Sequence, residues 1–314
     1  MCLKYILMFP GQGSQRKRMF DDFRVFPDFE KIYVESSRAA KKDLMHLSRT
    51  NSVFDPQIAQ QEILTQSLAM FNYLTTTYNL KENCEFMGHS LGEISAMAAS
   101  GYIRFDQIFT FITQRAAILS KNNMNGGMLV VSGISERALF NMCSNIPGYL
   151  EIVIRNSETQ FVVSGQADSI RILKKNVREL KRVKSKILPV STAFHCHLQD
   201  KNNEILEEKI NAISFQNSEA TLISNIHASE IIGKQAIKQE LIQQLVSKVN
   251  WYQSIKKIYA KENRAVVFIE VGPGNVLSKL LKDILPEATV FSTNSINDLK
   301  KLEQYFINHN KLEV

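Results

Sequence analysis

Residues 84 to 100, CEFMGHSLGEISAMAAS, constrain the fold more than any other stretch of the chain. A short apolar run meets two glycines that bracket Ser90, and an alanine-rich segment follows. The run reads as a strand and the segment as a helix of small residues. Gly88 and Gly92 let strand and helix crowd around a sharp turn, which exposes the serine hydroxyl and turns the next backbone N–H towards developing negative charge. The same pattern fits a glycine-containing strand–helix turn without chemistry, so spacing alone leaves Ser90 open between the two.

The surrounding chain supports an α/β reading. LKYILMF (3–9) reads as a buried strand ending in the glycine-rich PGQGSQ, and apolar spacing predicts helices over 62–78 and 107–120. Residues 127–190 then read strand, helix, strand, strand, helix, strand: GMLVVSG, SERALFNMCSN, YLEIVIRN, QFVVSG, ADSIRILKKNVRELK and KSKILPV. That βαββαβ order is the ferredoxin-like split motif. Beyond it the alternation resumes, with a helix over 199–212, strand TLISN, helices near 235–248 and 252–262, strand AVVFIEV (265–271), a GPG turn and a helix. The expected architecture is a mainly parallel α/β main domain, residues 1–126 and 191–314, interrupted by a small subdomain at 127–190, with the binding cleft between them.

Composition removes several function classes. No apolar run approaches the roughly 20 residues needed to cross a bilayer, and Pro10 and Gly11 cut the N-terminal apolar stretch short of a signal peptide. Cys2, Cys84, Cys143 and Cys196 are scattered, which predicts reduced thiols and a cytoplasmic protein. The net charge of +7 is dispersed. Its densest stretches, RKRMF (16–20) and KKNVRELKRVKSK (174–186), fit solvated helix faces, and no nucleic-acid-binding signature accompanies them. An acidic protein partner or a phosphorylated substrate fits them as well.

A serine nucleophile needs a base. His195 and His197, in STAFHCHLQD, fall where the chain returns to the main domain, and spacing does not choose between them or exclude a structural role. The H-x-H pair lacks the second Cys/His cluster that zinc would need, so no metal is expected. Arg115, in the apolar segment 107–120, reads either as a solvent-facing helix arginine or as a fork for a carboxylate.

Ten blocks occur together in order: MFPGQGSQ (8–15), TQSL (65–68), GHSLGEISA (88–96), QRAAIL (114–119), GGMLVVSG (126–133), NSETQFVVSG (156–165), VSTAFHCHL (190–198), SNIHA (224–228), QLVSKVNW (244–251) and EVGPGNVL (270–277). From about residue 5 to 285 the chain resembles the malonyl-CoA:acyl-carrier-protein transacylases, including the free-standing acyltransferases that serve polyketide synthases. That resemblance implies an α/β-hydrolase-like main domain with an inserted ferredoxin-like subdomain. It implies Ser90 as nucleophile, His195 as base, and the backbone carbonyl of Gln244 in place of a third carboxylate, so that Asp200 is not needed. It further implies an oxyanion hole from the N–H groups of Gln12 and Leu91, Arg115 on the malonyl carboxylate, Gln66 as a wall of the same pocket, and a malonyl-type Phe194.

The implied partners are malonyl-CoA and a holo acyl carrier protein, with no bound cofactor, no nucleic acid and no membrane. The single copy of each motif suggests a discrete monomer acting in trans, in fatty-acid or polyketide synthesis. Arg155 and His197 depart from the family pattern without removing a catalytic position. Arg155 reads as solvent-facing or as added charge near the cleft. An acyl hydrolase that clears stalled carrier proteins would use the same Ser90 and His195, although Arg115 favours a dicarboxylic acyl group. A silent docking subunit would have no reason to keep Ser90, His195, Arg115 and Gln12 together.

Overall fold

The computed structural model describes residues 3–78, 80, 83–122, 125–190, 192–262 and 266–309. Ala265, the first residue of the expected strand 265–271, and Ser191, where the main domain is expected to resume, lie outside them.

Ten strands occur among the described residues: β1 Lys4–Phe9, β2 Cys84–Gly88, β3 Gly126–Ser132, β4 Leu150–Arg155, β5 Gln160–Gln166, β6 Lys184–Ile187, β7 Thr221–Ile223, β8 Glu230–Ile231, β9 Val266–Glu270 and β10 Thr289–Ser292. They form two sheets. The larger has the order β10-β9-β1-β2-β7-β8 and is parallel except for β8. Its central strands are apolar at nearly every position because helices cover both faces. Tyr5, Leu7 and Phe9 enter one core with Val267 and Ile269, while Ile6 and Met8 enter another with Val266 and Phe268. This is the period-two alternation of a strand buried on both sides.

The smaller sheet is antiparallel, in the order β4-β5-β3-β6, which is the ferredoxin-like arrangement. One face (Leu129, Val131, Phe161, Val163) packs under the helices Glu136–Ser144 and Ala167–Arg178, as their shared core cluster shows. The other face turns Met128, Ile154 and Val162 into the core shared with Met8 and Trp251. An isolated parallel bridge, Ile154 to Val249, ties the small sheet to the main domain. The α/β class and the βαββαβ insertion are those the sequence predicts.

Several elements differ from the expectation. The helix expected over 62–78 runs Pro56–Tyr78, six residues longer at its start. Pro56 suits a first helical position, and the Asp55 side chain accepts from the Gln57 N–H (2.8 Å). The helix is buried almost all round from Ile58 to Met70, so polar Gln60, Gln61 and Glu62 sit inside and break the apolar rhythm. The helix expected near 235–248 ends at Gln243. The helices Pro27–Ala40 and Ile296–Asn308 and the edge strands β8 and β10 carry no signal in the sequence reading. No helix among the described residues is long and apolar enough to cross a membrane.

Candidate active site

Parallel register brings the site together. Phe9 at the end of β1 lies opposite Gly88 at the end of β2, so the Gly11–Gly13 turn and the Ser90 turn emerge side by side. Ser90 precedes the helix Leu91–Ala99 and has φ 54° and ψ −115°, a conformation an L-residue holds only where its surroundings impose it. Gly92 passes so close to β1 that a Cβ there would stand 1.9 Å from the Phe9 carbonyl oxygen. A Cβ on Gly88 would stand 2.0 Å from the Gly92 carbonyl carbon. The two glycines are therefore what permits the turn.

The Ser90 Oγ–H donates to His195 Nε2 at 2.7 Å. His195 Nδ1 lies 3.0 Å from the Gln244 carbonyl oxygen and 3.1 Å from that of Ser247. Both are acceptors only, so Nδ1 carries the proton and Nε2 keeps its lone pair for the serine. Burial pushes the imidazole pKa down to about 4, helped by the positive charge of Arg115 and by His89, while the Gln244 hydrogen bond opposes the shift. His195 is accordingly neutral and able to accept a proton at pH 7. His197 is exposed, edge-on to Tyr149 with ring centroids 4.1 Å apart. Asp200 is exposed at the start of the helix Asp200–Asn211.

Ser90, His195, Gln12, Leu91, Arg115 and Phe194 all border one cavity of about 340 Å³. Its opposite wall is apolar and comes from the small sheet, through Met128, Val130, Ile154 and Val162. Leu91 is the first residue of its helix, so its N–H has no partner within the helix and stands at the positive end of the helix dipole. Arg115 is 5% exposed. Its Nη1 donates to the side-chain oxygen of Gln60, an uncharged acceptor. Burial lowers its pKa to about 10, which leaves it cationic at neutral pH.

Gln66 corrects an expectation, since it does not wall this cavity. Its oxygen accepts from the Tyr33 hydroxyl (2.7 Å) and its nitrogen donates to the Met19 carbonyl (3.2 Å), which spends both ends of the amide in the core. Gln60 meets Arg115 instead; six residues of helix separate the two glutamines by about 120° around the axis. Arg155 is half-buried. Its guanidinium stacks on Tyr252, 4.5 Å from the ring centroid, and reaches Glu136 at 3.5 Å.

A brace beneath the turn was missed in the sequence. The Asn225 side-chain oxygen accepts from the Ser90 N–H (3.1 Å), and its nitrogen donates to the Gly88 carbonyl (2.6 Å). The Gln244 side chain donates to the Ser90 carbonyl (3.0 Å) and to Glu93 (2.9 Å), so this residue touches both serine and base. Glu93 also accepts from the Asn225 N–H at 2.8 Å. Burial, and Glu240 beside it, push the Glu93 carboxyl well above the usual range. At the cavity wall His89 Nε2 lies 3.0 Å from the Asn156 side-chain oxygen. Asn156 and Asn225 lie in blocks that mark the family resemblance, which was their only sequence signal.

Comparison with known proteins gives the family of the chain. The profile described as "Acyl transferase domain" matches residues 6–311. A malonyl CoA-acyl carrier protein transacylase of Buchnera aphidicola is 28% identical over 303 residues, covering 94% of this chain and 96% of its own. A human mitochondrial malonyl-CoA-acyl carrier protein transacylase is 30% identical over 319 residues, covering 95% of this chain and 81% of its own. The crystal structure of an acyl carrier protein S-malonyltransferase from Vibrio cholerae superposes with a TM-score of 0.87 at 26% identity, covering 95% of this chain and 99% of that one.

Proposed function

Since the chain belongs to the acyl transferase domain family, we propose that it moves a malonyl group from malonyl-CoA to the phosphopantetheine thiol of an acyl carrier protein, in fatty-acid or polyketide synthesis. The observation that carries the choice of acyl group is the buried Arg115 guanidinium, held by a neutral amide in the cavity that holds Ser90 and His195. An uncharged acyl chain gives such a cation no partner, whereas a malonyl carboxylate accepts two parallel N–H bonds from it.

The proposed mechanism is ping-pong. His195 Nε2 takes the Ser90 proton as Oγ attacks the thioester carbonyl. The Gln12 and Leu91 N–H groups hold the oxyanion, the C–S bond breaks, and the imidazolium returns the proton to the departing CoA sulfur. The carrier thiol then gives its proton to His195 and attacks the malonyl ester, and Ser90 leaves with that proton. The two carbonyls at Nδ1 hold the tautomer that this sequence requires.

In this reading residues 1–126 and 191–314 form the catalytic domain, and the small subdomain 127–190 closes the far wall of the cavity. One chain supplies nucleophile, base and cation, which fits a monomer meeting its carrier in trans in the cytoplasm.

Intact-mass measurement tests the proposal. Malonyl-CoA alone should add one malonyl group to the protein, and Ser90→Ala should abolish the adduct. Added holo carrier protein should then collect the group. Absence of an adduct sinks the reading, and release as free malonate with unloaded carrier makes the protein a hydrolase.

A further inference from the structure

Helix Pro56–Tyr78 presents three consecutive buried polar residues, and each is engaged differently. Gln61 donates to the Thr113 hydroxyl (3.1 Å), and Glu62 lies near the Tyr33 hydroxyl (3.5 Å). Gln60, 2% exposed, accepts from Arg115. It also borders a hollow of about 80 Å³ that shares Gln12, Val190 and Phe194 with the acyl cavity. Gln60 therefore meets the guanidinium from outside the acyl cavity, whose lining it does not join.

We propose that Gln60 sets the charge selectivity of the acyl pocket, holding Arg115 in place through an uncharged oxygen so that its positive charge stays available for the substrate carboxylate. This inference rests on the acyl-transfer reading above.

The chemistry at position 60 allows few solutions. A carboxylate of the same length would pair with the guanidinium fork and cancel its charge inside the protein. The malonyl carboxylate would then enter a neutral site against a fixed negative group. A hydrocarbon would keep the charge but leave a buried N–H unpaired and the side chain untethered. An amide tethers without neutralising. The remaining N–H groups of the guanidinium are then available to a second acceptor from the cavity side.

The test compares acyl-enzyme formation from malonyl-CoA and acetyl-CoA, by rapid-quench mass measurement, in the wild type, Gln60→Glu and Gln60→Leu. Gln60→Glu should lower the malonyl-to-acetyl ratio of kcat/KM by about tenfold or more, since the new ion pair removes the cation the malonyl group needs. Acetyl loading should persist, which shows an intact Ser90–His195 pair. Gln60→Leu should load malonyl more slowly but keep the wild-type order of preference. Three outcomes overturn the inference: Gln60→Glu keeps the wild-type ratio, it loses both acyl groups equally, or Gln60→Leu changes the ratio as much as Gln60→Glu. A wild type that forms no malonyl adduct would instead refute the acyl-transfer reading, so the two failures are distinguishable.

Discussion

At the scale of single residues, the proposed mechanism makes the reactivity of Ser90 depend on the charge state of His195. Burial holds the imidazole pKa near 4, well under the 6.5 of a solvated histidine. The imidazole is therefore neutral through the whole range in which a solvated histidine would titrate. A group with pKa 4 is still about 90% neutral at pH 5, whereas one with pKa 6.5 is about 3% neutral there. The rate of malonyl loading, followed by rapid quench, is expected to change little between pH 5 and 8. A fall centred near pH 6.5 would show that water reaches the imidazole. Stability follows the same shift. The folded state binds fewer protons at this site than the unfolded state, so its contribution is full above about pH 6.5 and is lost as pH falls towards 4.

At the scale of elements, the turn between β2 and the helix Leu91–Ala99 is held from below and above. Asn225 and Gln244 fix its backbone, while Gly92 admits the Phe9 carbonyl. Gly92→Ala would force β1 and the helix apart by more than an ångström. We expect a loss of about 1–3 kcal/mol or more in stability, as for other forced insertions into close packing. Labelling of Ser90 by a fluorophosphonate should fall more steeply still, because the 2.7 Å contact to His195 depends on that turn. Wild-type labelling in Gly92→Ala would mean the close approach does not position the nucleophile.

The sequence disclosed this element well because glycine spacing around a serine is a local rule. It disclosed Gln60 and Gln66 poorly, because both lie on a helix buried on all sides, where polar residues answer to distant partners such as Arg115 and Tyr33 rather than to a repeating pattern. Resemblance brought Gln66 to notice, and only geometry could move the contact to Gln60. The helix Pro27–Ala40 was silent for a related reason: it packs on the helices Pro56–Tyr78 and Phe105–Lys121, further along the chain. The edge strands β8 and β10 are only two and four residues long, too short to show a repeating pattern.

At the scale of the whole molecule, two buried ionisable groups pull the stability in opposite directions with pH. His195 weakens the fold as acid rises, and Glu62 weakens it as acid falls. Glu62 is fully buried, one of its carboxyl oxygens has no hydrogen-bond partner, and burial pushes its pKa up to about 8. The folded state thus keeps a proton that the unfolded chain, with a carboxyl pKa near 4.5, gives up. Its stabilising contribution is complete below pH 4.5 and is lost progressively as pH rises to about 8. Glutamine has nearly the same shape and cannot ionise. Glu62→Gln should therefore match the wild type near pH 4.5 and exceed it at pH 8 by on the order of a few kcal/mol. Urea unfolding of both proteins at the two pH values reads the difference directly. A gain of equal size at both would assign the effect to packing or hydrogen bonding, and no gain at pH 8 would mean that the buried carboxyl ionises without penalty.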